Sequence, residues 1–175
     1  MAALTEEQSI IRDQAKAWTA EQAPVQAFRA MRDAGMANGF EPKTWAAMAD
    51  LGWTGILVPE GYGGSGLGYL TFGLVLEELG RNLTAAPLFA SGLVGASALM
   101  LGGSEAQKQA LLPGIAKGTA IVTLAVDEGP RHAPAATALA ATRDGGGYRL
   151  SGEKSFVFEG LAATDLIVAA RTAGQ

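Results

Sequence analysis

The sequence predicts an α+β protein, with an all-helical N-terminal domain over residues 1–117 and the beginning of an antiparallel β-domain over residues 118–175. Two observations indicate this division. Helix caps and apolar stripes at helical spacing recur up to about Lys117, whereas β-branched and apolar residues without a helical period begin after Gly118. Helices followed by strands, without alternation, are typical of the α+β class.

Six helices are predicted, and their ends coincide with residues that favour helix termini. Two begin with a capping box, in which a Thr or Ser precedes a Gln by three residues: Thr5 with Gln8, and Ser104 with Gln107. Pro42 lies in the first turn of a predicted helix, and Pro24 interrupts one. Gly52 and Gly80 each follow the last turn of a helix. Pro113 is expected to end the last helix. The predicted helices cover about residues 5–23, 25–33, 42–51, 70–79, 87–101 and 104–112.

Four strands are predicted after the helices, over residues 119–126, 136–142, 147–158 and 166–170. The middle two are joined by Asp144-Gly145-Gly146-Gly147, a strong hairpin signal. A four-stranded antiparallel sheet that stops there has an uncovered edge. We therefore expect the chain to be part of a longer polypeptide, or to depend on another chain.

The composition excludes several kinds of site. The chain has 175 residues and a net charge of −4, which argues against a basic surface for nucleic acid. It has no cysteine and one histidine, so disulfides, thiolate ligands and a histidine metal site are excluded. The N-terminus does not resemble a signal peptide, and the uncharged run 87–101 is shorter than the roughly 20 residues that span a bilayer. We expect a cytoplasmic protein without a membrane partner.

Three glycines in the loop over residues 59–68 match the dinucleotide-binding pattern G-x-G-x-x-G: Gly61, Gly63 and Gly66. They follow a strand-like run over residues 55–58. A dinucleotide fold needs a second parallel strand after the next helix, but here Pro87 begins another helix. We therefore favour a loop that packs closely between helices.

Four segments resemble one family when they are taken together and in order. They read LGWTGILVPEGYGGSG over 51–66, EELGR over 77–81, GSEAQK over 103–108 with LP at 112–113, and GYRLSGEK over 147–154. Each is similar to a motif of the acyl-CoA dehydrogenases. The resemblance extends over the whole chain with the elements in the right order.

This resemblance implies a fold of three parts, of which the chain holds the helical N-terminal domain and the beginning of the middle β-domain. The resemblance implies that the third part, a C-terminal helical domain, lies outside these 175 residues. The family oxidises an acyl-CoA to its 2,3-enoyl-CoA: a carboxylate removes the α-proton, and the β-hydrogen leaves as hydride to N5 of FAD. That base usually comes from the C-terminal domain, so no catalytic residue is assigned here. The resemblance also implies an electron-transfer acceptor protein as partner, and a homo- or hetero-oligomer.

Two segments align with the flavin-contacting parts of the family. Val126 and Asp127 take the positions of a backbone amide and a Thr hydroxyl at the edge of the isoalloxazine, and Phe156, Val157 and Phe158 take the second segment. Asp127 cannot donate as a hydroxyl does, and its charge would oppose the anionic reduced flavin. Phe158 replaces the hydroxyl residue expected near N5. Core packing of the two Phe side chains on one face of a strand is the alternative.

The uncharged helix aligns with the helix that lines the acyl pocket of the family. Small side chains there, at Ser91, Val94 and Gly95, would leave room for a wide or long acyl group. Close helix packing explains them equally well.

The two replaced hydroxyls also suggest a second hypothesis, a non-catalytic subunit. In this respect the chain resembles the small subunits of the heteromeric bacterial branch, of the pimeloyl-CoA dehydrogenase type. The structural interpretation is favoured for several other residues: a core position for the tryptophans at 18, 45 and 53, a surface pair for Glu77 and Glu78, and a solvated position for His132.

Overall fold

The computed structural model describes residues 3–172. Its α-helices are α1 (Glu6–Gln22), α2 (Val25–Asp33), α3 (Pro42–Asp50), α4 (Gly68–Arg81), α5 (Ala96–Gly102) and α6 (Glu105–Ala116). A π-helical segment, Leu88–Gly95, precedes α5, and short 3-10 turns lie at Trp53–Gly55, Glu60–Tyr62 and Pro134–Ala136. The strands are β1 (Val122–Ala125), β2 (Ala140–Asp144), β3 (Gly147–Ser151) and β4 (Asp165–Val168). Helices before strands confirm the predicted α+β class.

Both predicted capping boxes are confirmed, at Thr5 for α1 and at Ser104 for α6. The predicted end of α6 was wrong, because Pro113 lies inside that helix. Proline removes only its own N–H and leaves its carbonyl free to accept, and Lys117 donates to that oxygen at 3.2 Å. No helix within residues 3–172 combines the length and apolar character that a membrane span requires.

Strand pairing differs from the predicted antiparallel sheet. β2 and β3 form the expected antiparallel hairpin, but β1 pairs with β4 in parallel, with Val122 opposite Asp165. The long strand predicted over 147–158 ends at Ser151. Left-handed backbone at Phe156 (φ 54°) and Glu159 (φ 51°) is incompatible with a continued ladder, and the loop that contains them returns the chain to β1.

The core lies among the helices and extends to β1. Met48, Trp53 and Phe72 are fully buried between the helices, and a second cluster joins α5 and α6 to Val122 of β1. The core position predicted for the tryptophans is confirmed at residues 45 and 53. Trp18 is half-buried and meets the Trp53 ring edge-on, with the ring centroids 5.1 Å apart.

Two polar side chains join the helices to the segment that leads into β1. Trp45 Nε1 donates to the Gly118 carbonyl at 2.8 Å, and Thr54 Oγ1 donates to the Ala116 carbonyl at the same distance. The β-region therefore begins from a fixed point on the helical core.

The glycine-rich loop packs as the sequence analysis favoured. Its main chain donates to the carbonyls of the run over residues 55–58, for example from Gly66 to Val58 at 3.0 Å. A Cβ at Gly64 would lie 2.0 Å from the Val58 carbonyl oxygen, so only glycine fits there. Within the described residues, 55–58 is not a strand but follows the 3-10 turn at Trp53–Gly55. This arrangement excludes the dinucleotide-binding interpretation.

Candidate functional site

An ion pair at the end of β1 connects the two predicted flavin segments. Glu128 accepts from Lys154 Nζ at 2.7 Å and from the main-chain N–H groups of Ala138 and Leu139 at 2.8 and 2.9 Å. The Lys154 ammonium and these amides lower the pKa of Glu128 to about 2. Lys154 is itself buried, with 6% of its side chain exposed. The carboxylate therefore stays charged and fixes three parts of the chain to one another.

Further hydrogen bonds fix the main chain of the same two segments. Lys154 Nζ also donates to the Val126 carbonyl at 2.9 Å, and the Ser155 N–H donates to the Asp127 carbonyl at 2.7 Å. Thr123, within β1, donates to the Phe158 carbonyl at 3.0 Å. The structure thus brings together the two segments that the sequence analysis assigned separately to a flavin.

Phe156 and Phe158 are exposed, by 74% and 62% respectively. The alternative in which they pack into the core from one face of a strand was wrong, because the strand ends at Ser151 and left-handed backbone at Phe156 redirects the chain. Phe158 meets the ring of Phe89 edge-on, with the centroids 5.6 Å apart. Exposed aromatic side chains on a backbone fixed by hydrogen bonds are typical of a surface that binds another group. Val157 lies beside them and lines a cavity instead.

Asp127 is paired with the histidine of the following loop. Its Oδ1 lies 2.8 Å from His132 Nδ1. The Asp127 side chain is 26% exposed and that of His132 is 71% exposed. His132 is therefore solvated, as expected, but it also has a partner that the sequence did not indicate.

The three residues predicted for an acyl pocket do not share one environment. Ser91 is buried, and its Oγ accepts from the main-chain N–H of Val122 at 3.1 Å. Gly95 faces the same strand, and a Cβ there would lie 2.1 Å from the Val122 carbonyl oxygen. These contacts favour the close-packing alternative for Ser91 and Gly95. Val94 is half-buried, and its assignment to the pocket stays a prediction.

A cavity of about 430 Å³ separates the loop over residues 154–162 from the helical region. Its wall includes Phe40, Pro87 and Val157, with Glu159 at its border. Burial raises the pKa of Glu159 to about 7, and a hydrogen bond from the Ala90 main chain opposes part of this increase. The carboxylate is thus poorly solvated, although the residue as a whole is exposed.

Several of these residues were not identified from the sequence. Lys154 is the last residue of the GYRLSGEK motif, and Glu128 directly follows Asp127 of the first flavin segment. The position of each in a family motif was therefore a sequence signal that could have identified it. Phe89 lies two residues before Ser91, in the helix that had been assigned to the acyl pocket. Glu78, predicted to be on the surface, is buried and pairs with Arg81. Within residues 3–172 no three His, Cys, Asp or Glu side chains form a group that could hold a metal ion.

Comparison with known proteins identifies the family. Residues 5–119 match the family described as "Acyl-CoA dehydrogenase, N-terminal domain". The chain belongs to the acyl-CoA dehydrogenase family. This result confirms the resemblance found in the sequence.

Among curated acyl-CoA dehydrogenases, the chain is 32% identical over 172 residues to the probable acyl-CoA dehydrogenase YngJ of Bacillus subtilis, covering 97% of this chain and 44% of that protein. It is 38% identical over 139 residues to the mitochondrial isovaleryl-CoA dehydrogenase of Pongo abelii, covering 73% of this chain and 31% of that protein. The chain therefore spans less than half the length of these relatives.

Solved structures of acyl-CoA dehydrogenases have the same fold. Butyryl-CoA dehydrogenase from Megasphaera elsdenii superposes with a TM-score of 0.83 at 26% identity, covering 99% of this chain and 46% of that one. A chain of the ChsE4-ChsE5 complex from Mycobacterium tuberculosis superposes with a TM-score of 0.84 at 28% identity, covering 98% of this chain and 46% of that one. The similarity therefore extends into the β-region, beyond the residues that match the family.

Acyl-CoA dehydrogenases use FAD, and the exposed groups at the end of β1 fit the edge of a flavin. Within residues 3–172, the main-chain N–H groups of Asp127 and Phe158 donate to no other group. Free amides can donate to the acceptor atoms of the isoalloxazine, and exposed aromatic rings can pack against it. The carboxylate of Asp127 cannot donate as a hydroxyl would. The residues present therefore fit the binding of FAD better than they fit the usual hydrogen bonding of its reactive edge.

Proposed function

We propose that this chain forms the helical domain and the flavin-edge segments of an FAD-dependent acyl-CoA dehydrogenase, which oxidises an acyl-CoA thioester to its 2,3-enoyl-CoA. The single observation that carries the proposal is the joining of the two flavin segments by Lys154, which donates to both Val126 and Glu128. Two distant parts of the sequence, each aligned with a flavin contact of the family, thereby meet at one surface.

The residues of this chain would bind and orient the reactants, whereas the base that removes the α-proton would come from the C-terminal domain. Bound FAD would supply the hydride acceptor, at N5. Val126, Asp127, Phe156, Val157 and Phe158 would hold it, through free main-chain N–H groups and exposed rings. Phe158, packed on Phe89, would exclude water from the adjoining side. Of the three residues predicted for the acyl pocket, Val94 would lie nearest to the acyl group, because Ser91 and Gly95 are buried against β1.

The absorbance spectrum of the full-length protein tests this proposal. We expect flavin bands in the purified protein, and bleaching of these bands when an acyl-CoA is added without oxygen. Protein that carries no flavin, whether purified alone or with a co-expressed partner subunit, would contradict the proposal. The Lys154→Met variant should retain less FAD than the wild type, because its two flavin segments are no longer joined.

A second candidate is a partner subunit that shapes a heteromeric dehydrogenase while another chain performs the chemistry. The observation that favours it is the loss of both hydroxyl donors, at Asp127 and Phe158. The similarity to a chain of the ChsE4-ChsE5 complex is consistent with it. Flavin bands of this subunit alone that an acyl-CoA does not bleach, beside bands of the complex with its partner subunit that do bleach, would favour this candidate.

The remaining expectations concern partners and location. A dehydrogenase of this kind passes its electrons to an electron-transfer acceptor protein, and we infer such a partner, together with a homo- or hetero-oligomeric state. A chain from a solved structure named for the electron transferring flavoprotein of Acidaminococcus fermentans superposes with a TM-score of 0.83 at 30% identity, covering 99% of this chain and 45% of that one. Reduction of an added electron-transferring flavoprotein in the presence of acyl-CoA would test the partner. The cytoplasmic location stays a prediction that fractionation of cells would test.

A further inference from the structure

The loop after β1 places an imidazole ring beside the carboxylate that replaces the family's hydroxyl. His132 Nδ1 lies 2.8 Å from Asp127 Oδ1, close enough for a hydrogen bond. The Asp127 side chain is mostly buried and that of His132 is mostly exposed, at 26% and 71%. The carboxylate therefore fixes the ring from one side, while the second ring nitrogen, Nε2, is accessible to a ligand.

We propose that Asp127 and His132 act as a pair at the flavin edge, in which the His132 ring supplies the proton donor that the carboxylate of Asp127 cannot supply. The inference rests on the proposed function. A protonated imidazole donates from both nitrogens, so that Nδ1–H is used by Asp127 and Nε2–H stays available. Its charge also offsets the carboxylate, which alone would oppose an anionic reduced flavin. His132 is thus assigned a positioning and electrostatic role.

The other charged groups at this end of β1 do not offer the same arrangement. Glu128 and Lys154 are paired with each other and directed toward the hairpin. Arg131, next to His132 in the loop, is exposed and makes no ion pair within residues 3–172. Arg131 therefore provides a matched control, because its removal changes the net charge near the site without affecting Asp127.

The midpoint potential of FAD in the full-length protein, measured by dye equilibration, tests the pair. Removing the donor in His132→Ala should weaken the binding of reduced relative to oxidised FAD by about tenfold, which lowers the potential by about 30 mV for a two-electron couple. Arg131→Ala should shift the potential by less than about a third of that amount, because an exposed charge is screened by solvent. The double variant Asp127→Thr/His132→Ala restores a hydroxyl, and its potential should return close to that of the wild type.

Each outcome decides the inference. Equal shifts in His132→Ala and Arg131→Ala would overturn it, since only general charge would then matter. An unchanged potential in His132→Ala, or a double variant that binds FAD without recovering the potential, would also overturn it while leaving the proposed function intact. A wild-type protein without FAD would remove the proposed function, and this inference with it. Thermal melting is the control that each variant is folded. If the double variant does not fold, the comparison of His132→Ala with Arg131→Ala still tests the inference.

Discussion

The two segments predicted to contact ligands use their side chains in opposite ways. Ser91 and Gly95 are directed into the fold, where they allow the π-helical segment to approach β1 closely. Phe156 and Phe158 are directed out of it, on a loop whose main chain is fixed by Lys154 and Thr123. Both segments had been assigned to ligand contacts by resemblance to the same family. The difference shows that alignment identifies a segment, whereas packing decides which of its side chains remain available.

Gly95→Ala should have the largest effect on stability. The added Cβ would lie 2.1 Å from the Val122 carbonyl oxygen. Because both the π-helical segment and β1 present main chain at this contact, the clash can be relieved only by separating β1 from the helices. We expect a loss of about 3 kcal/mol, as for severe overpacking, measured by chemical denaturation. Gly73→Ala is the matched control, because a Cβ at Gly73 meets no atom within 4 Å and the substitution favours the helix. If Gly95→Ala were as stable as Gly73→Ala, the close approach of the π-helical segment to β1 would not contribute to stability.

Lys154→Met should have the next largest effect. It keeps most of the apolar stem of the side chain but removes the donor shared by Val126 and Glu128. We expect a melting temperature lower by roughly 4 °C. The variant should also lose FAD more readily than the wild type, since the exposed phenylalanines depend on this link. Lys117→Met, at an exposed position, serves as the control.

The pH dependence of Glu128 gives a second measurement of the same link. Its folded-state pKa of about 2 lies below the ordinary value of 4.5, so its contribution to stability is present above pH 4.5 and is lost as the pH falls toward 2. Thermal melts between pH 6 and pH 3 should therefore fall less steeply for Glu128→Gln than for the wild type. Parallel curves would show that the ion pair does not stabilise the site.

Glu159→Gln should have a smaller effect, of the opposite pH dependence. Its folded-state pKa of about 7 lies above the ordinary 4.5, so stability is fully present below pH 4.5 and is lost as the pH rises through 7. The neutral amide avoids this loss. We expect Glu159→Gln to be more stable than the wild type at pH 8 by at most about 1 kcal/mol after solvent screening, and to match it at pH 5. A stability difference that is the same at both pH values would contradict this explanation.

Phe156→Ala should have the smallest effect on stability and a clear effect on FAD. The side chain is 74% exposed, so the free energy of unfolding should change by about 0.5 kcal/mol or less. FAD retention, measured by absorbance after gel filtration, should fall. Leu101→Ala, at a position that is 87% exposed and distant in sequence from both flavin segments, should change neither quantity. If Phe156→Ala retained FAD as well as the wild type, the exposed phenylalanine would not bind the flavin. The proposed difference between the exposed segment and the buried one would then be wrong.

The sequence by itself determined the family, the α+β class and the helical region. The family follows from four short motifs in order, and the helical region from local signals such as the capping boxes at Thr5 and Ser104. Such signals act between residues a few positions apart, and for that reason they can be read from one sequence. The error at Pro113 had the same local origin, since a proline late in a helix is compatible with one further turn.

The tertiary structure alone decided the pairing of strands and the surroundings of the site. Parallel pairing of β1 with β4 joins residues 43 positions apart, from Val122 to Asp165, and no local pattern distinguishes it from an antiparallel neighbour. The same applies to the contact between Phe89 and Phe158 and to the environment of Glu159. A hydroxyl lost at position 127 is visible in the sequence. The histidine that lies beside its replacement is visible only in the fold, because the loop conformation places it there.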